Sequence, residues 1–143
     1  MLGFLLEIIP SKCGKVNDQT VANVIKRFYD IGVYPDWWKL EPLQTRKAWQ
    51  LVNDIIAQYD PNIQGILVLG LGQTEAHLQA SFEIAASYPM VKGFAVGRTI
   101  FASVASDYMQ GVISDEDAVI QMAQTYQRLC TMWDKARDDA NKR

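Results

Sequence analysis

Short apolar runs alternate with longer stretches of helical period along this chain, and the alternation occurs four times. Phe4-Leu5-Leu6-Glu7-Ile8-Ile9 is an apolar run of strand length, closed by Pro10. From Asp18 the period changes. Val21, Val24, Ile25, Phe28 and Tyr29 recur three and four residues apart, which predicts a helix with Asp18 as its N-cap and Gly32 as its stop. Residues 33–41 predict a second strand, with Pro35 at its entry and Pro42 closing it. Ala48, Leu51, Val52, Ile55 and Ile56 then form an apolar stripe on a helix over 44–59, before the turn signal Asp60-Pro61-Asn62.

Residues 65–71 are almost wholly apolar, the pattern of a strand covered on both faces of a parallel sheet. A helix over 74–87, a fourth strand over 91–97 and a helix over 99–110 follow. A long last helix begins near Ser114, where Ser114-Asp115-Glu116-Asp117 supplies a cap and acids in the first turn. Strand-then-helix units of roughly thirty residues predict right-handed crossovers and a parallel sheet. The expectation is one α/β domain over residues 1–143.

Composition narrows the function classes. At 49% hydrophobic and 21% charged residues the chain is globular, and a net charge of −2 leaves no basic footprint for nucleic acid. Cys13 and Cys130 lie far apart with no CxxC, so neither a disulfide framework nor a zinc site is indicated and a reduced, cytoplasmic setting is expected. The single histidine, His77, reads as a helix-surface residue and gives no support to a histidine metal site or a Ser-His-Asp triad. No run has the apolar length of a membrane span, and the opening residues lack the basic segment of a signal peptide, so no membrane partner is expected. Residues 134–143 mix both signs and read as a solvated helix end.

In parallel α/β folds ligands gather at the carboxyl ends of the strands. The residues at those ends are Glu7, then Lys39 and Glu41, then Gly70 and Gly72, then Gly97 and Arg98. Strand alternation puts Trp37, Lys39 and Glu41 on one face, with Trp38 and Leu40 on the other. Lys39 stands in an apolar stretch. Burying an ammonium there penalises its charged form and favours an amine that attacks a ketone to form a Schiff base. The competing reading is a lysine that reaches water or pairs with Glu7 or Glu41. Gly70 and Gly72 let backbone N–H groups approach an anion at a helix N-terminus, and Arg98 adds a guanidinium, so the third and fourth ends outline a phosphate cradle. Alternatively the glycines are turn residues and Arg98 caps a helix or pairs with Asp107. Trp37, Trp38 and Trp49 read as core residues.

At these residues the chain resembles the C-terminal half of a class I (Schiff-base) aldolase barrel of the tagatose-bisphosphate aldolase type. Phe4-Leu5-Leu6-Glu7-Ile8-Ile9 resembles that family's fifth strand, Trp38-Lys39-Leu40-Glu41 its sixth, and Val96-Gly97-Arg98-Thr99-Ile100-Phe101 its phosphate-binding eighth. Closer still is the aldolase-like domain fused to 5-dehydro-2-deoxygluconokinase in inositol catabolism. It is similar in order and spacing to Ile9-Pro10-Ser11, to the stretch from Asp36 to Pro42 and to the stretch from Gly93 to Phe101.

This resemblance covers nearly the whole chain. It implies four parallel βα units forming half of a (β/α)8 TIM barrel, and a retro-aldol reaction without a cofactor. Lys39 would be the Schiff-base nucleophile, Glu7 would move protons, and Gly70, Gly72, Gly97 and Arg98 would hold phosphate. The implied substrate is a phosphorylated keto sugar or sugar acid, with 6-phospho-5-dehydro-2-deoxygluconate the specific expectation. A closed barrel takes about 250 residues and rarely fewer than about 200, so the family's first four strands have no counterpart here. An open four-stranded piece exposes two edges. The expectation is therefore a homo-oligomer, or a complementary half-barrel on another chain. The alternative is a non-catalytic phospho-sugar-binding domain or a structural remnant of the barrel.

Overall fold

The computed structural model describes residues 3–142. Four strands, β1 (Leu5–Ile8), β2 (Trp37–Leu40), β3 (Gly65–Leu69) and β4 (Val91–Ala95), are interleaved with helices α1 (Thr20–Asp30), α2 (Arg46–Tyr59), α3 (Glu75–Ala85), α4 (Arg98–Met109) and α5 (Asp115–Asn141). The strands form one parallel sheet in the order β1-β2-β3-β4.

A sequential parallel order with crossovers of one hand sends every helix to the same face of the sheet. The core obeys this. Ile8, Trp38, Leu40, Ile66, Val68 and Val91 from the strands join Ile25, Trp49, Ile56, Leu78, Phe82, Leu129 and Trp133 from the helices in a single cluster. The alternate strand positions, Glu7, Lys39, Leu67 and Gly93, stand side by side in register on the opposite face and lie outside that cluster. Ile66 pairs with Val91 but Leu67 with Gly93, so Lys92 is an extra residue that bulges β4.

Trp38 anchors the covered face. It is fully buried, and its indole N–H donates to the Tyr29 hydroxyl at 2.8 Å. Tyr29 meets the Trp38 ring edge-on and stacks on Tyr59. Burial pushes the Tyr29 phenol up to about 12, with the Trp38 hydrogen bond pulling the other way.

Several sequence expectations are corrected at the element ends. β2 starts at Trp37 rather than at residue 33, because the Val33 N–H closes α1 on the Phe28 carbonyl at 2.9 Å, just past the Gly32 stop, and Pro35 has no N–H to donate. Asp36 ties the approach to β1 instead, its carboxylate accepting the Phe4 N–H at 2.6 Å. The other strands are also shorter than the apolar runs that announced them.

Asp18 does not cap α1. The N-cap is Gln19, without a side-chain cap bond, and the Asp18 carboxylate accepts the Thr45 hydroxyl at 2.7 Å. Thr45, Thr74 and Ser114 cap α2, α3 and α5. The end of α5 is more than a solvated tail. Ala136 is buried, and Arg137 donates to the Ala86 carbonyl at 2.9 Å and to the Val91 carbonyl, lying over the Trp133 ring. That contact moors the helix to the start of β4.

Among the described residues β1 and β4 each have one strand neighbour, so the sheet ends in two open edges. Among the described residues no helix is long and apolar enough to cross a membrane.

Candidate active site

The candidate side chains gather at the carboxyl end of the sheet. Glu7 and Lys39 are direct neighbours in the β1–β2 register, and the Lys39 ammonium lies 2.8 Å from the Glu7 carboxylate. Lys39 is thus not the tryptophan-wrapped amine that its flanking residues suggested. Trp38 turns to the covered face, and the Lys39 side chain keeps 23% of its surface in solvent.

Of its two candidate carboxylates the structure pairs Lys39 with Glu7 and not with Glu41. The reason is local: β2 ends at Leu40, so alternation no longer governs the next residue. Glu41 is buried and turns to the Ser11 N–H in a neighbouring cleft.

The ends of β3 and β4 come very close together. A Cβ at position 70 would stand 2.7 Å from a Val96 methyl, so only glycine permits the approach. Gly72 takes φ +72° and Leu71, unusually for leucine, takes φ +52°. The loop is held by two bonds of 2.9 Å, the Gln73 N–H to the Gly70 carbonyl and the Thr99 hydroxyl to the Gln73 carbonyl. The second bond fixes the β3 loop to the first turn of α4. That helix starts one residue earlier than the sequence indicated, with Gly97 as an N-cap that offers no side-chain acceptor. The Ile100 N–H already donates to the Gly97 carbonyl at 2.8 Å, which leaves the Arg98 and Thr99 N–H groups of the first turn for an anion. Arg98 is exposed and forms no ion pair, with Asp107 or any other acid, among the described residues.

Glu7, Lys39, Gly70, Gly72, Gly97 and Arg98, the six residues singled out from the sequence, all line one cleft of about 260 Å³. Sequence reasoning missed Lys12, which lines it as well. Pro10 opens a short 3-10 turn directly past β1 and swings Lys12 over the strand ends. The proline at the strand end was the available signal. With Lys12, Lys39 and Arg98 against Glu7, the cleft is cationic although the chain carries a net charge of −2. Such a surface attracts small anions.

His77 is exposed on α3, its ring nitrogen 3.1 Å from the Thr74 hydroxyl. Cys13 and Cys130 are free thiols. Among the described residues no three His, Cys, Asp or Glu side chains gather as a metal site.

Comparison with known proteins gives one family. Residues 2–137 match the family model described as uncharacterized protein conserved in bacteria (DUF2090), and the chain belongs to that family. No curated protein and no solved structure matches it.

Proposed function

We propose that this chain, as a member of that bacterial family, is a Schiff-base aldolase-type domain acting on a phosphorylated keto sugar or sugar acid. The observation that carries the reading is the Lys39–Glu7 pair at 2.8 Å, set in the same cleft as Gly70, Gly72, Gly97 and Arg98. In this reading Glu7 accepts a proton from the Lys39 ammonium as the ketone arrives. The neutral amine adds to the carbonyl carbon, and loss of water gives an iminium. The iminium takes up the electron pair of the breaking C–C bond while a base removes the neighbouring hydroxyl proton and an aldehyde departs. Protonation of the resulting enamine, then addition of water, releases the ketone phosphate and restores Lys39. Gly70, Gly72, the N-terminus of α4 and Arg98 hold the phosphate throughout. A phosphorylated keto acid such as 6-phospho-5-dehydro-2-deoxygluconate offers the ketone and the anionic ends this cleft would take, which would place the domain in inositol catabolism.

The architecture belongs to the same proposal. Sequential parallel strands, helices on one face and two open edges support half of a (β/α)8 barrel. A second copy, or a complementary half on another chain, would pair with both edges and wall the cleft.

A second reading has its own support. The Lys39 side chain is partly in water and the Glu7 side chain is 41% exposed, so in the single chain the pair lies in an open cleft. A domain that binds phospho-sugars without cleaving them needs no more than that. Solvent hydrogen exchange separates the two. Dihydroxyacetone phosphate incubated with the protein in heavy water gains deuterium beside its carbonyl if an iminium forms, and Lys39→Met abolishes the gain. Binding of the same compound with no deuterium gained in the wild type would leave the binding-only reading.

A further inference from the structure

A second cleft of about 270 Å³ opens at the same end of the sheet, behind the β3 loop, and no step of the proposed reaction uses it. Its polar lining carries two carboxylates, Asp18 and Glu41, among the neutral side chains of Ser11, Asn17, Gln44, Thr45 and Gln73, and its walls include Val21 and Leu43. Glu41 is only 5% exposed. Both of its oxygens share a single donor, the Ser11 N–H, at 3.3 and 3.4 Å. Those lengths are at the weak end for a hydrogen bond, and a carboxylate has room for about four donors. Gln73 also lines the cleft, and its Oε1, enclosed by protein, has no hydrogen-bond partner among the described residues.

Among the described residues no lysine, arginine or histidine lines the cleft. A buried carboxylate without a counter-charge or a full set of donors is costly, so the site is built for an occupant that brings both. A metal ion is a poor fit, since no three His, Cys, Asp or Glu side chains converge among the described residues. We infer that this cleft is a binding site for a small hydroxylated organic ammonium ion, its charge on Glu41 and its hydroxyls on the polar side chains of the lining, Gln73 among them. The inference is independent of Lys39 chemistry: the two clefts share Leu71 as a wall, while Lys39 lines only the other.

The test uses the full chain and the tris(hydroxymethyl)methylammonium ion as probe, followed by amide chemical shifts in NMR. Saturable shifts are expected at Ser11, Thr45 and Gln73. Glu41→Gln should weaken binding at least about tenfold, the loss typical of a hydrogen bond to a charged group, and Gln73→Met should weaken it less. Tetramethylammonium, which has the charge but no donors, should bind measurably more weakly than the probe. Because Glu41→Gln alters a buried group, its spectrum is first checked for native dispersion; Gln73→Met supplies the decision if that variant is misfolded. No saturable shift in the wild type, shifts confined to the Lys39 cleft, or equal affinity in a folded Glu41→Gln or Gln73→Met variant would overturn the assignment.

Discussion

On the helix-covered face of the sheet Trp38, Leu40, Ile66 and Val68 are all fully buried, whereas one position along on the bare face Leu5 is 42% exposed and Glu7, Lys39, Leu67 and Gly93 form a row that no core side chain covers. The same four strands thus present a finished protein interior on one side and an unfinished one on the other. The difference separates the residues that hold the fold, which point toward the helices, from the candidate site residues Glu7 and Lys39, which point away from them. A bare face can carry a lysine beside a glutamate because neither has to be desolvated for the chain to fold.

The comparison breaks most sharply at Trp38. Trp38→Ala should remove about 3–5 kcal/mol, a large share of a typical domain's stability, read as a collapse of the urea midpoint. Tyr29→Phe should cost about 1–3 kcal/mol at neutral pH, because the buried Trp38 N–H loses its acceptor. The same variant has a signature in pH. The Tyr29 phenol is held up to about 12 in the folded chain and titrates near about 10 when unfolded. The folded form therefore retains a proton that the unfolded form releases, so stability is full below about pH 10 and declines as pH rises toward about 12. Urea midpoints from pH 9 to 12 should fall less steeply in Tyr29→Phe than in the wild type.

On the bare face the expected effects move from folding to association. If the open edges and inner face are closed by a second copy, sedimentation should find a dimer, and Leu67→Asp should weaken it at least about tenfold while leaving the monomer's circular dichroism unchanged. A wild-type monomer with a well-dispersed native spectrum would contradict the pairing. The smallest effect is expected at Lys39 itself: Lys39→Met should change folding stability by no more than about 1 kcal/mol, since a partly exposed ion pair contributes little. A larger loss would make the pair a structural element rather than a functional one.

The parallel sheet and its helices were legible because long apolar periods survive any local accident. Each strand announced itself as an apolar run, and Thr45, Thr74 and Ser114 cap helices whose starts the sequence places within two residues. What the pattern hid depends on competition for single groups. Asp18 has the chemistry of a cap, yet Thr45 claims its carboxylate. Glu41 follows the parity of Lys39, but the ladder stops one residue too soon for parity to matter. Lys12 gave no periodic signal at all, and reached the cleft through the turn that Pro10 imposes. Arg137 sits in a run of mixed charge that reads as solvent-facing, and only the tertiary fold shows the two backbone carbonyls it serves. The glycine pairs were visible as candidates, and their convergence on Lys39 and Glu7 required the strand register.

The central claim is that Lys39 is a nucleophile. Borohydride reduction in the presence of dihydroxyacetone phosphate, read by intact mass and peptide mapping, tests it most directly. The account predicts a stable adduct on the peptide carrying Lys39, absent in Lys39→Met and diminished in Glu7→Gln. A folded protein that binds the compound and yields no adduct at Lys39 would contradict it.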